Sequence, residues 1–196
     1  MSNSDHEIIQ RIIAGDKRAY SELMIRHKDK AMTLAIRILK NHHDAEEALQ
    51  DAFVRAFNGL QGFEWKSNFS TWFYRIVYNV CVTKLSQQKN KYFLSIDDNN
   101  DDTTPLEIVA IDSGPTDIFE SKEFISIVHS EIEKIPAQYG SIFTLFVIQE
   151  MSYEEIVSVT GLPLGTVKNR LFRARVLLRN AVVKKFSEKK TVFVDM

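Results

Sequence analysis

The chain has 196 residues, 44% of them hydrophobic, with one cysteine, seven glycines, four prolines and a net charge of −1. A lone cysteine excludes an intrachain disulfide framework and suits a cytoplasmic protein. No run is long and apolar enough to span a bilayer, and residues 1–10 lack the apolar core of a signal peptide. The near-neutral total conceals a strong asymmetry. Residues 1–95 hold 14 basic against 10 acidic side chains, residues 96–163 hold 2 against 14, and residues 164–196 hold 9 against 2. The net charges are therefore +4, −12 and +7, a layout that points to nucleic acid at the basic ends.

Few glycines and prolines and long stretches of helical spacing predict an all-α chain. Ser4 and Glu7 form a capping box ahead of Ile8, Ile9, Ile12 and Ile13, and Gly15-Asp16 reads as a break. A second helix is expected over residues 16–40, with Tyr20, Leu23, Met24, His27, Met32, Ala35, Ile36 and Leu39 inward. Residues 41–44 read as a turn in which Asp44 caps the next helix and Glu47 completes the box. His42 and His43 have no second ligand cluster at metal-site spacing, so a surface turn is expected and no metal. Residues 44–58 carry a narrow apolar stripe: Ala45, Ala48, Leu49, Ala52, Phe53, Ala56 and Phe57. The opposite face shows Glu46, Glu47, Gln50, Asp51, Val54 and Arg55.

The stretch GLQGFEWKSN (59–68) breaks the periodicity and is expected to be a loop, after which residues 69–85 return to helix. Seven aromatics lie between Phe63 and Tyr78, interleaved with Lys66, Asn68, Arg75 and Asn79. Aromatic faces beside cations can hold unstacked bases, at roughly 1–3 kcal/mol per base. Trp72, Phe73 and Ile76 are expected in the core, whereas Trp65 sits in a loop flanked by glycine and charge, which is normally exposed. Cys81, among Val80, Val82 and Leu85, reads as a buried, inert thiol.

Residues 86–115 are acidic, rich in Asn, Thr and Pro, and read as a linker with little structure of its own. A helix is expected over residues 116–135, with Ile118, Phe119, Ile125, Val128 and Ile132 inward, and Pro136 starts the next. The segment SYEEIVSVTGLPLGTVKNRLFRARVLLR (152–179) has the layout of a helix-turn-helix. Ser152 and Glu155 form a capping box, Gly161 can take the left-handed conformation that ends the first helix, and Pro163 cannot continue it. The second helix is expected to begin near residues 164–166, with Val167, Leu171, Ala174 and Leu178 buried. Its other faces carry Lys168, Asn169, Arg170, Phe172, Arg173, Arg175 and Arg179, a donor-rich surface of the kind that enters the DNA major groove.

Both halves resemble the extracytoplasmic-function (ECF) sigma factors. The front half does so through DAEEALQDAFVRAF and FSTWFYRIVYNV, the back half through IPAQYGSIFTLF and MSYEEIVSVTGLPLGTVKNRLFRAR. The resemblance implies two small helical domains joined by an acidic flexible linker: residues 1–90 as region 2, 91–116 as the linker, 117–187 as the region 4 helix-turn-helix, and 188–196 as a tail. It implies a transcription-initiation factor with no catalytic residues, no cofactor and no small-molecule substrate. Its partners would be core RNA polymerase, promoter DNA and an anti-sigma factor, which in this family is often membrane-bound.

Carried over by residue, Asp44, Glu47, Gln50, Asp51 and Arg55 would dock on the clamp helices of the largest polymerase subunit. Phe63, Trp65, Lys66, Ser67, Asn68, Phe69 and Asn79 would hold an unstacked non-template base of the downstream (−10) element. Lys168, Asn169, Phe172 and Arg173 would read the upstream (−35) element, with Thr166 at a phosphate and Arg170 and Arg175 either at phosphates or capping the core. Val157, Gly140 and Asn169 depart from the family's usual alanine, arginine and serine.

Residues 96–116 as a random coil would average roughly 25 Å end to end and would reach about 70 Å when extended. Two turns of DNA at about 34 Å each match only the extended form, so a scaffold must separate the two halves. The −12 segment is expected to discourage unassisted DNA binding. A stand-alone helix-turn-helix regulator would need a dimer interface and a ligand pocket, neither of which the sequence advertises. An enzyme using His42, His43 or Cys81 lacks any nucleophile–base pairing.

Overall fold

The structure is a computed structural model that describes residues 3–91 and 122–194, with side chains placed for residues 5–88 and 126–185. Among the described residues there are helices and no strands. They are α1 (Asn3–Ile13), α2 (Ala19–Leu39), α3 (His42–Gly59), α4 (Phe69–Lys91), α5 (Lys122–Lys134), α6 (Ala137–Val147), α7 (Tyr153–Thr160) and α8 (Leu164–Val194), with a single 3₁₀ turn at Leu60–Gly62. The side chain of Ser4 lies outside the described residues, as do residues 92–121, on which the linker reading and Ile118 and Phe119 fall.

The first four helices pack around the α3 stripe. Ala45, Ala48, Ala52 and Ala56 are buried, and their small side chains let α2 and α4 approach closely on either side. The gap is filled by rings: Phe73, fully buried, stacks on Phe53 at 4.8 Å and on Phe69 at 5.8 Å. Along α2 the buried residues include Ala31, Leu34 and Ile38 besides the expected Leu23, His27, Ala35 and Leu39, while Met24, Met32 and Ile36 are half-buried. The wider arc has a cause that periodicity does not reveal: α2 packs against α1, α3, α4 and also α6.

Boundaries differ from the sequence reading at three helices, α2 beginning at Ala19 rather than at residue 16. The cap of α3 is Asn41, whose side chain accepts from the Asp44 N–H at 3.0 Å, so the helix begins at His42. This releases Asp44 to accept from Gln88 at 2.9 Å and to pair with Lys84 at 3.2 Å. Gln88 lies on the part of α4 that runs on to Lys91, beyond the expected end at residue 85, and Lys84 just before that end. In α5 it is Ile127 that is buried, with Val128 half-buried, a shift of one residue.

The helix-turn-helix forms as its sequence predicts. In the capping box, Ser152 N–H donates to Glu155 Oε2 at 2.9 Å and Glu155 N–H donates to Ser152 Oγ at 3.2 Å. Gly161 ends α7 at φ 72°, with its N–H on Val157 O at 2.8 Å. Ile156 and Val159 of α7 are buried together with Val167, Leu171 and Ala174 of α8, whereas Leu178, expected in the same row, is half-buried and Val176 is buried instead.

The two halves share one continuous core, with α6 against α2 and α7 against α4. Arg37 Nη1 donates to Ile132 O at 2.6 Å, and Lys40 Nζ donates to Glu133 O at 2.6 Å and Ile135 O at 2.8 Å. These cations satisfy carbonyls at the C-terminal end of α5, where the helix dipole favours positive charge. Gly140 permits the approach, because a Cβ there would lie 2.8 Å from Arg37 Cδ. Gln149 Nε2 donates to Lys30 O at 3.0 Å further along the same seam.

Phe73→Ala should cost about 3–5 kcal/mol, the range for a buried aromatic truncation, read as a lowered midpoint in urea unfolding. Gly140→Arg should leave helicity by circular dichroism unchanged while increasing the radius of gyration in small-angle scattering. An unchanged radius would show that the seam does not depend on the close approach at residue 140.

Candidate nucleic-acid and polymerase interfaces

The solvent face of α3 is a patterned charge surface. Asp51 takes both Arg55 Nε at 3.0 Å and Arg55 Nη2 at 2.9 Å, while Lys84 of α4 bridges Asp44 and Glu47. Hydrogen bonds from Gln88 and Lys84 hold the Asp44 carboxyl below its usual range. Between α3 and α4 these residues line an open groove of about 790 Å³. His43, Asp44 and Glu47 lie close enough to share a cation, but the Lys84 ammonium already supplies their counter-charge.

On the same face Val54 is 60% exposed, beside an apolar cleft of about 410 Å³ formed with Tyr20, Met24, Gln50, Phe53 and Phe57. The sequence reading placed Val54 on this face without assigning it a role. The available signal was a β-branched apolar residue in an otherwise charged stripe.

The aromatic loop is less open than its sequence suggests. Phe63 and Phe69 are buried at 7% and 5% exposure, with their rings enclosed by Trp65, Trp72, Phe73 and His27. In this arrangement neither ring offers a free face for a base. Trp65 is half-buried, with backbone φ 59° in the left-handed region, and its ring lies 4.8 Å from Phe63. Lys66 and Asn68 are exposed, Lys66 pairing with Glu64 and Ser67 Oγ donating to Asn68 O at 3.3 Å. Asn79 is exposed on α4, in line with Asn68 but about 16 Å further along the helix axis.

One edge of the loop faces α7. Glu155 accepts from Thr71 Oγ1 at 3.1 Å and also from Asn68. Trp65, Lys66, Ser67, Asn68 and Thr71 stand across an open cleft from Glu154, Glu155 and Ser158. The Ser152 backbone N–H, aided by Thr71 and Asn68, holds the Glu155 carboxyl below its usual range against the opposing effect of burial. A depressed carboxyl stabilises the folded state above the unfolded-state pKa. That contribution is lost as pH falls through the folded value, so acid loosens this contact.

On α8, Lys168 and Phe172 are exposed, Phe172 to 55%, and Arg173 Nε donates to Asn169 Oδ1 at 3.2 Å. Arg175 lies two turns beyond Lys168 in the same stripe, its guanidinium 5.2 Å from the Phe146 ring, and Lys168 Nζ sits 5.8 Å from Tyr153. Thr166 is half-buried at the start of the helix. Arg170 lies off this stripe on the side of α4, where its charge opposes the rise that burial causes in the Tyr78 phenol pKa. Cys81 is fully buried, and burial pushes its thiol up to about 12, away from the low range of an activated thiolate. Among the described residues no helix is long and apolar enough to cross a membrane.

Comparison with known proteins matches Sigma-70 region 2 to residues 23–91 and Sigma-70, region 4 to residues 125–178. The ECF RNA polymerase sigma factor SigW of Bacillus subtilis is 34% identical over 173 residues, covering 87% of this chain and 92% of the relative. The ECF RNA polymerase sigma-E factor of Escherichia coli K12 is 30% identical over 187 residues, covering 91% and 94%. Among solved structures, CnrH in complex with the cytosolic domain of CnrY has a TM-score of 0.60 at 21% identity, covering 93% of this chain and 99% of that one. The sigma factor RpoE of Bartonella quintana, in complex with the anti-sigma factor NepR, has a TM-score of 0.61 at 21% identity, covering 83% and 96%. At that identity the structural likeness speaks to fold, whereas the matched regions and the two relatives speak to descent: the chain belongs to the extracytoplasmic-function RNA polymerase sigma factors.

Proposed function

We propose that the chain directs core RNA polymerase to its promoters, docking through α3, reading the upstream element with α8 and holding a base of the downstream element at the loop before α4. The observation that carries the reading is the pairing of two unlike exposed faces on one chain. One is the charged α3 face with the exposed Val54 at its edge; the other is the row Lys168, Asn169, Phe172 and Arg173 on the second helix of a helix-turn-helix, with Lys168 and Phe172 exposed and Asn169 and Arg173 half-buried. Neither face has a catalytic constellation beside it, and both suit binding. Asp44, Glu47, Gln50, Asp51 and Arg55 would meet polymerase, with Val54 added to them as an apolar contact. The loop contribution narrows to Trp65, Lys66, Ser67 and Asn68 as direct contacts, with Phe63 and Phe69 as their support and Asn79 further along the strand.

The packed seam bears on how the protein works. With α6 on α2 and Glu154 and Glu155 facing the loop, the two reading ends lie together, whereas promoter elements about two DNA turns apart require them separated. Polymerase would supply the free energy of separation through contacts made only by the open form. An inhibitor that binds the packed form better would hold the factor inactive by the same logic. The complexes of CnrH with CnrY and of RpoE with NepR motivate placing an anti-sigma protein in that role here.

Run-off transcription with purified core polymerase on fragmented genomic DNA should give sequence-selective initiation that is absent without this chain; unselective initiation would overturn the reading. Lys168→Ala and Arg173→Ala should each cost about 1–3 kcal/mol at a single upstream base if they contact base edges. A uniform loss with a shallower salt slope would reassign the residue to phosphate. Val54→Asp should weaken capture of core polymerase by at least about tenfold, as loss of an apolar anchor does, with unfolding midpoint unchanged because the residue is exposed.

A further inference from the structure

The loop read as the base holder has a second wall that belongs to α1. A pocket of about 170 Å³ lies between them, lined by Asp5 and His6 of α1 and by Trp65, Ser67, Asn68 and Phe69. Sites for drug-sized ligands begin at roughly 300 Å³, so this one suits a single ring system. The His6 ring lies 4.3 Å from that of Trp65, inclined at 50°. The left-handed backbone of Trp65 is costly for a bulky residue and persists only where neighbours impose it. Here those neighbours are Phe63 on one side and His6 on the other.

The placement of α1 is itself over-determined. Ile8 and Ile9 are buried in the core. Asp5 Oδ1 accepts from Arg26 Nη1 at 2.6 Å and Asp5 Oδ2 accepts from His27 Nε2 at 3.1 Å. Burial raises the Asp5 carboxyl, but the bonds from His27 and Arg26 outweigh it and keep the group ionised. Two donors occupy two of the about four acceptor sites of a carboxylate, and the remaining capacity borders the pocket. A carboxylate accepts from the exocyclic amine of cytosine, adenine or guanine, whereas thymine carries no such amine.

We infer that α1 forms the second wall of the base-holding pocket, with His6 positioning Trp65 and Asp5 biasing the pocket toward a base that carries an exocyclic amine. The inference rests on the loop reading above, and its test separates the two. Full-length chain with core polymerase is assembled on promoter DNA carrying 2-aminopurine at successive non-template positions, and the rise in fluorescence locates the extruded base. That position is then replaced by each natural base and initiation is measured.

Wild-type protein should favour cytosine or adenine over thymine by about tenfold, within the discrimination of one well-placed base contact. Asp5→Asn should collapse that ratio to below about threefold, since an amide can donate to thymine O4 as well as accept. His6→Ala, at an exposed position, should lower initiation several-fold on all four bases, with folding intact by circular dichroism. If Asp5→Asn and His6→Ala change neither ratio nor rate while Trp65→Ala or Asn68→Ala does, α1 is no wall and the inference falls while the loop reading stands. If Trp65→Ala and Asn68→Ala are silent too, the loop reading falls with it. Should Asp5→Asn fail to fold, a wild-type preference for thymine overturns the inference alone.

Discussion

The arrangement of the whole chain depends on how closely α6 can lie on α2. Helix axes approach most closely where one side offers no Cβ, and here Gly140 takes the aliphatic stem of Arg37 directly against its backbone. That stem then places the guanidinium on Ile132 O, and Lys40 reaches the next carbonyls of the same helix end. Three carbonyls at or just beyond a helix C-terminus, of which Ile132 O also accepts from the Ile135 N–H, are thereby supplied with cationic donors from the other half of the molecule.

From that seam follows the position of α7 on α4 and the meeting of Glu155 with Thr71 and Asn68. The loop is therefore flanked on two sides, by the carboxylates of α7 and by the N-terminal turn of α1. The two flanks differ in kind. The α7 contact is an open, solvated cleft closed by a few polar bonds, the type of contact that a competing partner can displace. The α1 contact is backed by buried isoleucines and a carboxylate held by two donors, so it is the firmer of the two.

Charge explains why neutrality overall is compatible with DNA binding. The acidic excess lies in the middle of the sequence and at the N-terminus of α7, while the exposed side chains of α8 include Lys168, Arg175 and Arg179. Placing Glu154 and Glu155 at the first turn of α7 stabilises that helix through its dipole and also aims negative charge at the loop where a DNA strand would pass.

What the sequence by itself determined is everything governed by local chemistry. The alanine stripe of α3, the Ser152–Glu155 box, the Gly161 terminus and the buried row Val167, Leu171 and Ala174 each follow from spacing or from one side chain bonding within a few residues, and each stands in the structure where the pattern puts it. Asn41 displaced Asp44 as the α3 cap because both can accept from a nearby N–H, and only the cross-helix pull of Lys84 and Gln88 decides between them. The burial of Phe63 and Phe69, the arc of α2 covered by α6, the turning of Arg170 toward Tyr78 and the reach of Asp5 and His6 to the loop depend on helices distant in the chain. No periodicity encodes those contacts, since a ring or a carboxylate reads identically in sequence whether it faces solvent or a neighbour brought there by the fold.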